Sequence, residues 1–112
     1  MHKLVILVET QEDLNTFDDL WPRFLHHAER MPGLKREATS RIDNVIYGKS
    51  SYYLIHELFF DSLQAIQEAM VSDAGQSAGE VLQKMTGGHM ALMTADHKED
   101  DMENILKFRR GE

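Results

Sequence analysis

Between residues 51 and 70 the hydrophobic period changes within a single step, and this constrains the whole chain. From Tyr52 to Phe60 nearly every side chain is aromatic, β-branched or aliphatic, as in a buried or half-buried strand. From Asp61 the apolar positions become Leu63, Ile66, Ala69 and Met70, the three- and four-residue spacing of an amphipathic helix. Asp61 with Gln64 reads as a variant capping box, which places the helix start at Asp61 or Ser62. A strand that feeds directly into a capped helix is the core of an α+β unit.

The remaining elements hang on that unit. Residues 3–9 form a short apolar run, read as a first strand. Thr10 or Asp13 can cap a helix that places Leu14, Phe17, Trp21, Phe24, Leu25 and Ala28 on one side, and Pro22 predicts a kink or a restart near Trp21. Met31-Pro-Gly-Leu34 stops it. Residues 35–47 read as a weaker strand, with Ala38, Ser40, Ile42 and Asn44 alternating against Glu37, Thr39, Arg41 and Asp43. Tyr47-Gly48-Lys49-Ser50 turns it into residues 52–60 as a hairpin. The helix from Ser62 is interrupted at Ser72-Asp73, where Asp73 can cap a second segment carrying Ala78, Val81, Leu82 and Met85. Gly87-Gly88 ends that segment, and residues 89–95 form the last strand.

The order is βαββαβ: a four-stranded antiparallel sheet with two helices on one face. The chain of 112 residues is expected to be one domain over residues 1–96, followed by an acidic-to-basic C-terminal extension over residues 97–112. That extension reads either as a frayed end or as a short amphipathic helix on its own domain or a partner subunit. The other sheet face has no helices left to cover it. Leu4–Val8 and Leu58–Phe60, with Tyr53 and Ile55, are apolar on both parities, so a second copy packed face to face is expected, giving a homodimer.

Composition removes several chemistries. With no cysteine there is no thiolate nucleophile, thiolate metal site or disulfide. The net charge of −7 argues against nucleic acid as a partner, and no apolar run is long enough for a membrane span or signal peptide. The expectation is a soluble cytoplasmic protein with no membrane partner. Gly87-Gly88 belongs to no phosphate-loop pattern.

Four blocks carry a family resemblance. They are Met31-Pro-Gly-Leu-Lys-Arg36, Tyr53-Leu-Ile-His-Glu-Leu-Phe-Phe-Asp-Ser62, Ser72-Asp-Ala-Gly-Gln76 and Gly87-Gly-His-Met-Ala-Leu-Met-Thr-Ala-Asp96. Together, over roughly residues 3–96, they resemble the EthD family, whose superfamily pairs two ferredoxin-like protomers into a dimeric α/β barrel. The family takes its name from a protein associated with ether degradation. Relatives in the wider superfamily include cofactor-independent monooxygenases, haem-degrading enzymes, and isomerases or cyclases. The resemblance implies a cofactor-independent oxidoreductase or monooxygenase-type protein acting on a small hydrophobic organic compound. The alternatives are an isomerase or cyclase of the same fold, or a non-catalytic accessory protein that binds a hydrophobic metabolite.

The sequence departs from the family at one point. Many EthD sequences carry a histidine eight residues before the Pro-Gly-Leu block; here that position is Phe24, with histidines at His26 and His27 instead. Haem degradation is disfavoured: the relatives' first-strand asparagine has no counterpart between Lys3 and Thr10, and Phe60 stands where they tend to have tryptophan.

Among candidate site residues, His56 comes first. With Leu58 and Phe60 packed toward the helices, His56 points into the sheet–helix space and could move protons near neutral pH; the plainer account is a hydrogen-bonded core histidine. Glu57, on the opposite parity, is expected to pair with Arg or Lys across a dimer. Trp21, Phe24, Tyr53, Phe60 and His89 are candidate substrate-binding residues, the aromatic ones lining a lipophilic pocket with Met70, Met85, Met90 and Met93, or else forming ordinary core. His26 and His27 lie ~100° apart on a helix, are not expected to share a pocket, and lack a histidine at chelating spacing, so no metal site is expected.

Overall fold

The computed structural model describes residues 1–103. The elements run β1 (His2–Glu9), α1 (Leu14–Ala28), β2 (Arg36–Arg41), β3 (Tyr52–Phe60), α2 (Leu63–Val71), α3 (Asp73–Thr86) and β4 (Met90–Asp96). The strands form one antiparallel sheet in the order β2-β3-β1-β4. This is the ferredoxin-like arrangement, with α1 and the α2–α3 pair on one face.

Local chemistry explains the boundaries, with some differences from the sequence expectations. Asp13 caps α1, accepting from the Thr16 hydroxyl and from Thr16 N, and those bonds hold its carboxyl below the usual range. Pro22 does not restart the helix: α1 is continuous through it. Pro22 lies on the exposed side, while Phe17, Phe24 and Ala28 on the opposite face are buried. The burial of that face outweighs the local cost of one lost backbone hydrogen bond. Leu14, expected on the apolar side, is 52 % exposed at the helix start.

Ser62, rather than Asp61, caps α2 by accepting from Ala65 N, and Gln64 instead donates to Glu68. Ser72, rather than Asp73, caps α3: its Oγ accepts from Gly75 N and donates to Ala69 O, bridging the end of one helix and the start of the next. Gly87 adopts the left-handed conformation that closes α3 (φ 60°). Strand β2 ends at Arg41, shorter than expected, and the following loop carries Ile46 and Tyr47 almost fully exposed.

The core lies between sheet and helices. Leu4, Ile6 and Val8 of β1 and Leu54, His56, Leu58 and Phe60 of β3 meet Phe17, Phe24 and Ala28 of α1 and Ala78, Leu82 and Met85 of α3. One irregularity re-aims a side chain. Val8 pairs with Leu54 but Glu9 with Tyr52, so Tyr53 is the extra residue of a β-bulge. Tyr53 therefore packs on Phe17 at the helix side (centroids 5.7 Å), and does not extend the apolar outer face as the alternation implied.

The outer face carries Val5, Leu7, Ile55, Ala91 and Met93 around Phe59. At one end it is polar. Lys3 pairs with Glu57 in the same chain, so the expected pairing of Glu57 across a dimer is not needed to satisfy it. The Arg36 guanidinium stacks 3.8 Å above the Phe59 ring and pairs with Glu99, and His97 meets Phe59 edge-on at 4.8 Å. The bond from His97, with Arg36 beside it, holds the Glu99 carboxyl below the usual range. The start of the C-terminal extension thus lies against the outer face; its further course from residue 104 is outside the described residues.

Two glycines of α3 predict opposite responses. A Cβ on Gly75 would lie 2.1 Å from Ala69 O, whereas one on Gly79 meets nothing within 4 Å. Gly79→Ala should stabilise the protein by about 1 kcal/mol through helix propensity, and Gly75→Ala should cost roughly 1–3 kcal/mol by forcing the α2–α3 junction apart. Urea unfolding of both variants checks this; equal shifts would contradict the packing.

Candidate functional site

The site builds outward from His56. Its side chain is 0 % exposed, set at the middle of β3 beneath α1. The Trp21 and Phe24 rings meet it edge-to-face at 5.2 and 5.7 Å, and Phe17 and Phe24 stack on Trp21 from either side at 5.7 and 5.4 Å. Two polar groups from β2 reach the imidazole, because Thr39 is the direct partner of His56 across the ladder and Glu37 is two residues along on the same face. Thr39 Oγ1 lies 2.8 Å from Nδ1, and Glu37 Oε2 lies 3.3 Å from Nε2.

These groups are held away from their ordinary charge states. Burial among aromatic rings lowers the His56 pKa to about 4, against the smaller opposing pull of Glu29 and Glu57. Burial raises that of Glu37 to about 7, helped by the Glu29 carboxylate just beyond α1, which accepts from the protonated Glu37 and repels its charged form. The 3.3 Å approach is therefore not an ion pair at neutral pH: the imidazole is uncharged and Glu37 is near its midpoint. The two facing atoms are out of line for a hydrogen bond, and both are buried without a partner. The Tyr53 hydroxyl is likewise buried and unpartnered. Its pKa is raised by burial and by Asp18, with Arg41 acting in the other direction.

A second region adjoins the first through Phe24. A cleft of about 220 Å³ lies between α1, the α2–α3 pair and the sheet, lined by apolar side chains that include Ile6, Phe24, Met31, Leu58, Met70 and Leu82. An apolar cavity of about 150 Å³ accepts benzene, so this cleft has room for a molecule with one ring. Phe24 forms its wall on the side facing His56.

The structure brings Trp21, Phe24, Tyr53 and His56 together where the middle of α1 crosses β3. Phe60 is separate, fully buried in the core, with the backbone of Gly33 close to its ring. His89 lies at a different edge, 71 % exposed and 3.7 Å from Glu9, bordering a polar hollow of about 430 Å³ with Asp13, Thr16 and Lys84. Of the methionines, Met70 reaches the apolar cleft and Met85 the core and the polar hollow. His26 and His27, expected to diverge, both border one hollow with Pro22 and Arg23, their rings 5.2 Å apart. Among the described residues no group of three potential ligands could hold a metal ion. Sequence reasoning missed Glu37, Thr39 and Glu29. The only available signal was the alternation of Glu37 and Thr39 along β2, whose meaning depends on register with β3.

No protein-family model and no curated protein sequence matches the chain. Among solved structures, an EthD family protein from Bacillus halodurans C-125 is 30% identical, with 88% of this chain and 99% of that chain covered and a TM-score of 0.80. The chain belongs to the EthD family. Two more distant structures show the fold alone. One is a dimeric ferredoxin-like protein of unknown function from Jannaschia sp. CCS1, 13% identical over 86% of this chain and 98% of that chain, TM-score 0.67. The other is SnoaB, a cofactor-independent oxygenase from Streptomyces nogalater, 11% identical over 90% of this chain and 95% of that chain, TM-score 0.63. Among the described residues of this EthD protein, no helix is long and apolar enough to cross a membrane.

The opposed shifts predict a pH signature. Glu37 has a folded pKa of about 7 against 4.5, so its stabilising contribution is complete below 4.5 and is lost as pH rises through 7. His56 has a folded pKa of about 4 against 6.5, so its contribution is complete above 6.5 and is lost as pH falls through 4. The two offset each other between these limits. Glu37→Gln leaves His56 uncompensated, so its Tm, relative to wild type, should fall as pH is lowered from 6.5 to 4.5. Melting curves across this range check it, and parallel Tm profiles for the two proteins would refute the assignment.

Proposed function

We propose that this EthD protein is a homodimeric enzyme of the cofactor-independent oxygenase type that binds a small, uncharged, apolar organic compound and moves a proton with the Glu37–His56 pair. The observation that carries the reading is the pair of orphaned atoms, Glu37 Oε2 and His56 Nε2, buried 3.3 Å apart beneath an aromatic wall. Unpaired buried polar groups are costly, and Glu37, its pKa raised to about 7, can give and take a proton near neutral pH beside an imidazole that stays uncharged. Trp21, Phe24 and Tyr53 supply flat apolar surface, and Phe24 joins the pair to the apolar cleft. Glu37, with its side chain 28 % exposed, is the end of the pair that a substrate reaches first.

The likeness to an oxygenase supports the oxygen-dependent form, in which removing a proton from the substrate makes it electron-rich enough to react with oxygen. The presence of both an acid and a base specifically favours a second reading, an isomerase or cyclase that returns the proton elsewhere on the substrate. The homodimer is supported by the apolar outer face around Phe59, Ile55 and Val5, and by the dimeric state of the Jannaschia protein of the same fold.

Two experiments test the proposal. A panel of single-ring phenols, hydroquinones and cyclic 1,3-diketones, each with a proton that a carboxylate base can remove, should contain members that raise Tm. Each one is then incubated in D2O with and without oxygen. Oxygen uptake supports the oxygenase, deuterium incorporation without oxygen supports the isomerase, and His56→Ala or Glu37→Gln should reduce the observed rate by roughly 10²–10⁴. Full activity in both variants would remove the pair from the chemistry. Separately, native mass spectrometry should give the mass of two chains, and Ile55→Glu should raise the dimer Kd by roughly a hundredfold or more. A wild-type monomer would contradict the uncovered-face argument.

A further inference from the structure

We infer that Thr39 is a positioning residue that lets the His56 ring exchange tautomers as Glu37 gains or loses its proton, so that the three side chains act as one proton relay. This deepens the reading of Glu37–His56 as the working site. It rests on the geometry at the two ring nitrogens: Nδ1 has one neighbour, the Thr39 hydroxyl at 2.8 Å, and Nε2 has one, the Glu37 carboxyl at 3.3 Å. The ring is 0 % exposed, so water supplies neither nitrogen with a partner.

The donor and acceptor inventory then leaves two arrangements. When Glu37 is a carboxylate it can only accept, so the imidazole proton belongs on Nε2, and Nδ1 accepts from the Thr39 hydroxyl. When Glu37 is protonated and its O–H turns from Glu29 to Nε2, the imidazole proton belongs on Nδ1, and Nδ1–H donates to Thr39 Oγ1. The two states differ by one proton overall, the ring staying neutral in both. A threonine hydroxyl serves both because it donates and accepts by rotating one torsion; an amide, carbonyl or ammonium at that position would serve less well or fix one tautomer. Alignment of Oε2 with Nε2 needs only a turn of the Glu37 carboxyl, whose outer part is exposed.

The charged and titratable groups around the relay are few. Glu29, at the end of α1, accepts from the protonated Glu37 and so favours that form, competing with Nε2 for its O–H. Glu57 acts on His56 from the next position of β3, on the opposite face, where it is paired with Lys3. Helix α1 otherwise presents Trp21 and Phe24, which do not titrate. The proton that moves is therefore assigned to Glu37, with Glu29 as its modulator.

The test needs no substrate. Nitrogen-15 NMR of imidazole-labelled protein should show His56 neutral throughout about pH 5 to 9, with its protonated nitrogen changing from Nδ1 at the acid end to Nε2 at the alkaline end. The change should share its midpoint with the Glu37 carboxyl carbon. Thr39→Val keeps the shape but leaves Nδ1–H without an acceptor, so the Nε2-protonated form should persist at both ends and the Glu37 midpoint should fall. Thr39→Ser should restore the exchange. A single tautomer in wild type across the range, an imidazolium above about pH 5, or unaltered exchange in Thr39→Val would each overturn the inference. The wild-type measurement decides by itself should Thr39→Val fail to fold. If the exchange is present while Glu37→Gln leaves the turnover of a found substrate unchanged, the relay stands and the proposed function fails; if the exchange is absent while turnover needs Glu37, the reverse holds.

Discussion

Burial of one imidazole under an aromatic seam organises this molecule. Helix α1 meets β3 through Phe17, Trp21 and Phe24, and His56 is the fully buried polar side chain of β3 on that contact. Placing it there without charge requires hydrogen-bonding partners that the apolar elements cannot supply, and β2 provides them by pairing Thr39 directly opposite. The edge strand is therefore more than a fourth ribbon of the sheet. No residue of β2 is itself buried, yet Glu37 and Thr39 reach the buried imidazole from this edge strand, which is why β2 reads poorly as a buried strand.

That dependence explains which parts of the molecule were legible in the sequence. The switch of period after Phe60, the stop at Gly87 and the cap at Asp13 are local, and each is found within one or two residues of its expected place. The inward aim of His56 followed from its parity with Leu58 and Phe60. Glu37 did not follow, because its meeting with His56 is decided by the register between β2 and β3 and by Glu29 arriving from the end of α1. Pro22 misled for a related reason: local propensity forecasts a break, but the buried stripe along α1 outweighs one missing backbone bond. Ser62 and Ser72 prevailed over the neighbouring aspartates because their hydroxyls stand at the capping position itself.

Phe24 has a different neighbourhood on each side. On one side its ring meets the His56 imidazole, on the other it lines a cleft with little polar lining. In a domain this small, one side chain both closes the core and borders the cleft.

The bulge at Tyr53 has a consequence for how such a chain tolerates change. The loop that precedes β3 is exposed, and in a regular strand a one-residue offset would turn every later side chain over. The extra residue at Tyr53 gives the strand a place to absorb such an offset before Leu54, so the phase of His56, Leu58 and Phe60 is set from the β1 side. The loop is thereby uncoupled from the interior, free to diverge in sequence and length while the residues beneath α1 keep their aim.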